Sequence, residues 1–402
     1  MGETPVVAWE IGRDEYEARV GRVRQILRER ELDGLVLFHS VRLTYLTGFF
    51  HQRTERPMAL VVPLDGPLGA LVPRLEREHV AAYPAIARVR DYPEYPTGGT
   101  KHPMAHLRDL LTDLGLGGKR LGYDNDGYHD INSYDGPALS AIHDGPTAPA
   151  RDIVDDLRTV KSEAELRLMR ASATWGNLAH RLMHDRLAPG RSEIEVSLEA
   201  SLEASRMLLA ALGPTYRATG FVAQPATAVV QAGANTALPH PLSRGGGLRR
   251  GDVLVTFGDA DVGGYHTELE RTMLLGEPTP AFVRHFELML QLQQAGFDAL
   301  RPGRRLADAE ADVARAFRDL GVADLQRHHT GHGLGLEGHE APFIDLGDER
   351  VIREGMVFSV EPGLYVPGLA GFRHSDTVVV TAGGVERLTY YPRDLDNLVV
   401  PA

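Results

Sequence analysis

The sequence predicts a mixed α/β (α+β) chain of two domains, and three observations carry that expectation. Its 402 residues suit two or three cores at roughly 150 residues per domain. Apolar residues recur at helical three- and four-residue steps in some segments and as short unbroken runs in others. Two late segments, residues 251–275 and 355–381, share a plan of strand, glycine-containing turn and strand, each after a pair of helical stretches. That repetition predicts two α/β halves facing one another, with a ligand site between them.

Composition narrows the chemistry. With no cysteine, disulfides, thiolate zinc sites, iron–sulfur clusters and cysteine nucleophiles are excluded, so any metal must be held by His, Asp or Glu. A net charge of −12 disfavours nucleic acid or an anionic membrane as partner, because both demand a positive surface. Gly 43 and Pro 25 are too few for a low-complexity chain, so the whole length is expected to fold. The first six residues, Met-Gly-Glu-Thr-Pro-Val, lack a basic segment before an apolar run. Val6 also stands where a myristoylation signal needs Ser or Thr. No stretch nears ~18 consecutive apolar residues. A soluble, cytoplasmic protein is expected.

Taken in order, residues 15–30 read as a helix with Val20, Val23 and Leu27 on one side, and Leu35-Val36-Leu37-Phe38 as a buried strand. A second apolar run follows at 59–62. The Pro, Gly and Tyr of residues 92–99 mark a loop, and the Pro/Gly/Ala cluster at 144–149 puts the domain boundary near 150, giving domains 1–150 and 151–402. Ser162 with Glu165 is a capping box that opens a helix. Leu166, Met169, Ala173, His180, Met183 and Leu187 form one buried stripe along it. Pro189-Gly190 ends that helix, and Ser192 with Glu195 repeats the box.

Five elements carry reactive side chains. Read as a strand, residues 265–272 put His266, Glu268 and Glu270 on one face. A solvated sheet face is the ordinary reading of such a row, but apolar Val253-Leu254-Val255 and Met273-Leu274-Leu275 point to a buried sheet, where carboxylates need cations or donors. Residues 328–340 hold four histidines among four glycines, allowing close backbone approach to a ligand ringed by imidazoles. Glu361 ends the apolar strand Val357-Phe358-Ser359-Val360, and such a carboxylate is seldom buried without a partner. Arg373 and Ser375 share a face at the start of the last apolar strand. His240, in the loop at 235–240, would alone be a surface residue and gains weight from the others.

These elements, preceded by Leu157-Arg158-Thr159-Val160-Lys161-Ser162-Glu163, resemble in their order the M24 family of pita-bread proteins, which holds Xaa-Pro aminopeptidases, prolidases and creatinase. Residues 11–50, ending Tyr45-Leu46-Thr47-Gly48-Phe49, resemble the creatinase-type α/β amino-terminal domain. The resemblance implies a pita-bread carboxy-terminal catalytic domain. Family peptidases bind two divalent ions through two Asp, one His and two Glu. Here the metal His matches His332 and the Glu of Glu-Pro-Gly matches Glu361. The second Asp, in a Ser-Asp-Ile-Thr-Arg-Thr-like motif, falls on Glu268. The first Asp, in the family a terminal ligand of one ion, falls on Phe257, and the last Glu, which bridges both, falls on Ser375, so two of five ligands are absent and the losses fall preferentially on one ion.

The resemblance therefore implies a hydrolase, a metal-dependent exopeptidase acting on short peptides, with one divalent ion per chain (Zn, Mn or Co) on Glu268, His332 and Glu361. Three protein ligands with an open position suit hydrolytic metal catalysis. Glu361 is expected to double as proton shuttle. His240 and His339 are expected to stabilise the tetrahedral intermediate or protonate the leaving nitrogen, and Arg373 to orient substrate. His266, Asp259 and Glu270 are alternative ligands for a displaced ion. A competing expectation is a metal-free creatinase-type C–N (amidino) hydrolase, in which Glu270 and Glu361 hold a guanidinium-like substrate and His240 is the acid–base. A third is a non-catalytic pita-bread binding protein. Arg42, with His51, Gln52 and Arg53, is a candidate to bind a substrate carboxylate, against the alternative of an ordinary polar loop. A homodimer is implied by the resemblance alone.

Overall fold

The computed structural model describes residues 9–93, 101–128, 136–220 and 224–402. Two compact units divide between Arg158 and Thr159, residues 9 and 10 going with the second. The expected boundary near 150 differs because the Pro/Gly/Ala cluster before it is partly a strand, Thr147–Pro149, that closes the first unit's sheet. Most of the loop expected at 92–99, and the first six residues, lie outside the described residues.

The first unit runs α1 (Arg13–Glu29), β1 (Gly34–Leu37), α2 (Ser40–Thr47), β2 (Ala59–Pro63), β3 (Gly69–Pro73), α3 (Arg77–Val80), β4 (Arg88–Tyr92), α4 (Pro103–Asp113), β5 (Leu121–Tyr123), α5 (Leu139–Ile142), β6 (Thr147–Pro149) and α6 (Asp152–Thr159). Its six strands lie in the order β4-β3-β2-β1-β5-β6. Helix α1 buries Val20, Val23 and Leu27 as its spacing predicts. Arg42 departs from expectation. It lies on α2, not in a loop, and is 4% exposed. Its Nε and Nη2 donate to Asp155 at 2.8 and 2.9 Å, and Nη1 reaches Asp124 at 3.3 Å. Asp124 also accepts from the Phe38 and His39 amides. Arg42 is thus an internal strut tying α2 to α6 and to the end of β5, not a free anion receptor.

The second unit opens with α7 (Glu163–His184) and α8 (Glu193–Leu212), then β7 (Ala226–Ala232), β8 (Val253–Ala260), β9 (Leu269–Leu275), α9 (Pro280–Ala299) and α10 (Leu306–Asp319). There follow β10 (Gly331–Gly333), β11 (Glu340–Ile344), β12 (Val357–Val360), β13 (Leu364–Val366), β14 (Ala370–Phe372), β15 (Ser375–Thr381), β16 (Gly384–Arg387) and β17 (Val399–Val400). A nine-stranded sheet runs β11-β10-β12-β15-β9-β8-β7, with β16 on β15 and β17 on β9. The Ser162–Glu165 capping box forms in full, and the predicted stripe on and just beyond α7 is buried throughout. At α8 the Ser192 side chain accepts from the Glu195 amide, the first half of the same device.

Helix α7 settles which face of β8 carries chemistry. His180 bonds Thr256 at 2.7 Å and Ser172 bonds the Ala260 carbonyl at 2.5 Å. A Cβ on Gly258 would lie 2.6 Å from the Gly176 carbonyl, so glycine permits this close approach. Thr256, Gly258 and Ala260 therefore face the helix, and Phe257 and Asp259 face away from it. Strand register extends that second face sideways. Phe257 is opposite Glu270, which is opposite Ser375, and in a second row His332 is opposite Ser359, which is opposite Thr377. No helix among the described residues is long and apolar enough to cross a membrane.

Candidate metal centre

Residues 266–268 precede β9, which begins at Leu269. His266 pairs with Asp259, Nδ1 to Oδ2, at 2.9 Å, at the margin of the same face. Glu268 and Glu270 meet side chains from three other segments. The Oε1 of Glu268 accepts from Ser359 and Ser375, each at 2.6 Å, and its backbone amide bonds Thr377 Oγ1 at 2.7 Å. Its other oxygen lies 3.7 Å from His332 Nε2, and Glu361 Oε1 lies 3.1 Å from the same nitrogen.

His332 owes its position to glycine. A Cβ on Gly331 would stand 1.9 Å from the Ser359 carbonyl, so only glycine lets β10 lie this close against β12. The imidazole is fully buried, with Nδ1 3.0 Å from the Gly333 carbonyl. That contact keeps the proton on Nδ1 and turns the Nε2 lone pair toward the carboxylates. Nε2 is itself buried and makes no hydrogen bond of acceptable geometry. An orphaned imidazole nitrogen facing two carboxylates is what a cation-binding site offers. One ligand atom each from Glu268, His332 and His339 lie within 4.8 Å of one another.

Electrostatics agree. Burial opposes charge on His332, but the close approach and charge of the Glu361 carboxylate, with the charge of Glu268, outweigh it and raise the imidazole to about 9. Burial also acts upward on Glu361, yet His332 and Arg373 bring it down to about 2. Glu268 is pushed up by burial and by Glu361. A proton drawn onto a buried imidazole by paired carboxylates occupies the place that a metal ion would take. His339 stacks on His332 with ring centroids 3.6 Å apart, and burial, then His332, lower it to about 4.

The other half of the face is arranged differently. Both oxygens of Glu270 accept from Arg373, Oε2 from Nε and Oε1 from Nη2, while Nη1 donates to Tyr365 Oη at 2.9 Å and to the Pro239 carbonyl at 3.1 Å. Arg373 is 7% exposed, so the expected substrate-orienting role does not fit a guanidinium already engaged on all sides but one. The same clamp removes the basis of the amidino-hydrolase expectation, because an internal guanidinium already holds Glu270.

A model of metallopeptidase family M24 matches residues 167–382, and one of the creatinase/prolidase N-terminal domain matches residues 19–160. The chain belongs to metallopeptidase family M24. It is a metal-dependent peptidase of that type, with the pita-bread fold. It is 30% identical over 400 residues to the probable dipeptidase PepE of Mycobacterium tuberculosis, covering 96% of this chain and 97% of that one. The Xaa-Pro dipeptidase of Pyrococcus furiosus is 30% identical over 244 residues, 61% of this chain and 67% of that one. Among solved structures, dipeptidase PepE from Mycobacterium ulcerans superposes with a TM-score of 0.80 at 29% identity, covering 98% of this chain and all of that one.

Within this M24 protein, the structure brings together Glu268, His332, His339 and Glu361, with Glu270 and Arg373 beside them. His240 is exposed, and is near enough to contribute to the lowering of His339. Sequence reasoning did not single out Ser359 and Tyr365. Ser359 carried a signal, standing two residues before Glu361 on the strand that leads into it. Tyr365 carried none, since its role comes from the turn that returns β13 toward Arg373 and His328, whose Nε2 lies 2.7 Å from its hydroxyl. The paired Lys161 and Glu340, buried at 2.8 Å, anchor the residue next to His339 and account for the Thr159-Val160-Lys161-Ser162 segment.

Proposed function

We propose that the protein is an exopeptidase acting on short peptides with a single divalent ion, Zn, Mn or Co, held by Glu268, His332 and Glu361. The observation that carries this reading is the orphaned Nε2 of His332 between two buried carboxylates. An ion held there supplies a Lewis acid that polarises the scissile carbonyl and lowers the pKa of water. The chain's residues supply the rest. Ser359 and Ser375 fix the Glu268 carboxylate, leaving its second oxygen directed at His332. Glu361, with Oε1 toward His332 and Oε2 3.6 Å from Arg373, moves the proton of the attacking water. His339, neutral at pH 7, donates a hydrogen bond to the developing oxyanion, and His240 shares that role or relays to the leaving nitrogen the proton that Glu361 takes from the water.

The count of one ion is supported by charge as well as by ligand loss. Burial pushes Glu270 up to about 8, but with an ion bound and Glu268, Glu270 and Glu361 all ionised, their three negative charges would be cancelled by Arg373 and that one divalent ion. A second divalent ion would leave a buried excess of two positive charges. The reading also includes a cytoplasmic location, and a homodimer that is supported by family resemblance and checked by light scattering on the purified protein. A dipeptide and blocked-peptide panel, with and without chelator, tests the activity. Cleavage abolished by chelator and restored by Mn2+, Co2+ or Zn2+ is expected, and cleavage indifferent to all of them would overturn the reading.

A further inference from the structure

Two groupings of potential ligands share Glu268. One adds His332 and His339, and the other adds Glu270 and Glu361, each with its atoms within 4.8 Å of one another. The second grouping has the chemistry to bind a cation of its own, and a cation is already there. Arg373 is bidentate on Glu270, and its Nε lies 3.6 Å from Glu361 Oε2. Four of the five N–H donors of a guanidinium are engaged, two on Glu270, one on Tyr365 and one on Pro239. The group is therefore fixed in place.

Strand register adds an independent point. Glu270 stands directly between Phe257 and Ser375 in its cross-strand row. These are the two positions at which the resemblance expects acids, one a terminal ligand of the second ion and one a bridge between the two. The row retains one carboxylate, moved to the middle strand, where it meets Arg373. At that position the Ser-Asp-Ile-Thr-Arg-Thr-like motif has a neutral threonine.

We propose that the Arg373 guanidinium, clamped by Glu270, is the permanent substitute for a second divalent ion in this centre. The inference rests on the one-ion reading above. Glu270 is then a positioning residue and not a ligand. Without it, Arg373 turns to Glu361 and competes with the ion for that carboxylate. Without Arg373, Glu268, Glu270 and Glu361 are left as an open site.

Mn2+ titration by calorimetry, with elemental analysis after desalting, tests this on the full chain and three variants. Arg373→Met is expected to take up a second equivalent. Glu270→Gln is expected to keep one equivalent bound about 10-fold more weakly. Glu270→Gln combined with Arg373→Met removes both charges, and should return to within about threefold of the parent affinity. One equivalent in a folded Arg373→Met would overturn the proposal. So would a double variant as weak as Glu270→Gln, which would make Glu270 a ligand, and this pair decides the matter if Arg373→Met does not fold. A parent protein that binds no Mn2+ contradicts the one-ion reading instead, so the two failures are distinct.

Discussion

The two halves of the polar face are built from the same sheet, yet one leaves its polar atoms open and the other closes them on each other. Around His332, a buried nitrogen has no proper hydrogen-bond partner and two carboxylates lean on it. Around Arg373, carboxylate, guanidinium, phenol and carbonyl satisfy one another. Unsatisfied buried groups are costly and persist where a ligand completes them, whereas a closed network has no need of one. The difference teaches where the protein accepts something from outside and where it has supplied its own counter-charge.

Several substitutions break or sharpen that contrast. The largest effect belongs to the open half. His332→Ala should leave the protein without stoichiometric metal and lower kcat/KM on the order of 10³-fold, about 4 kcal/mol of transition-state stabilisation, by elemental analysis and dipeptide kinetics. Unchanged metal content would mean that another group holds the ion. Next comes a closed pair outside the centre. Lys161→Met removes the cation facing buried Glu340 and should cost about 3 kcal/mol in urea unfolding while metal stoichiometry stays at one. A stable variant that loses its metal would reverse the assignment of that pair from structure to centre.

Smaller effects follow. Ser375→Ala removes one of two hydroxyls on Glu268 Oε1 and should weaken metal affinity about 10-fold, as the loss of an orienting hydrogen bond does. No change would show that Ser359 orients Glu268 unaided. Behind the sheet, His180 and His374 are fully buried and lowered well below their usual range, first by burial and then by Arg271. Their folded-state pKa values lie below the unfolded value of about 6.5. The stability they contribute is therefore present above about 6.5 and lost as pH falls, by about 1.4 kcal/mol for each by pH 5.5. Urea unfolding from pH 7.5 to 5.5 reads the slope, and His374→Leu should reduce it. An identical slope in the variant would show that His374 takes no part.

Much of this was legible in the sequence, for identifiable reasons. The helix at α7 announced itself through Ser162, Glu165 and a 3.6-residue stripe, all local signals. Glu268, His332 and Glu361 were legible because each sits in a short motif whose glycines or strand pattern fix it. Partnership between distant segments was not legible. Arg42 read as an exposed candidate because nothing nearby in sequence announces Asp155. Arg373 read as a substrate ligand because its partner Glu270 is distant in sequence, on β9, and only the pairing of β9 with β15, just after Arg373, brings them together. Phe257 and Ser375 were identified by resemblance, and register then placed both beside Glu270.

The number of ions decides the central claim. Protein stripped with chelator, reconstituted with excess Mn2+ and desalted should retain one metal per chain by elemental analysis, with peptidase activity returning as that single equivalent is filled. Two retained ions, or activity that returns only with a second, would contradict the account.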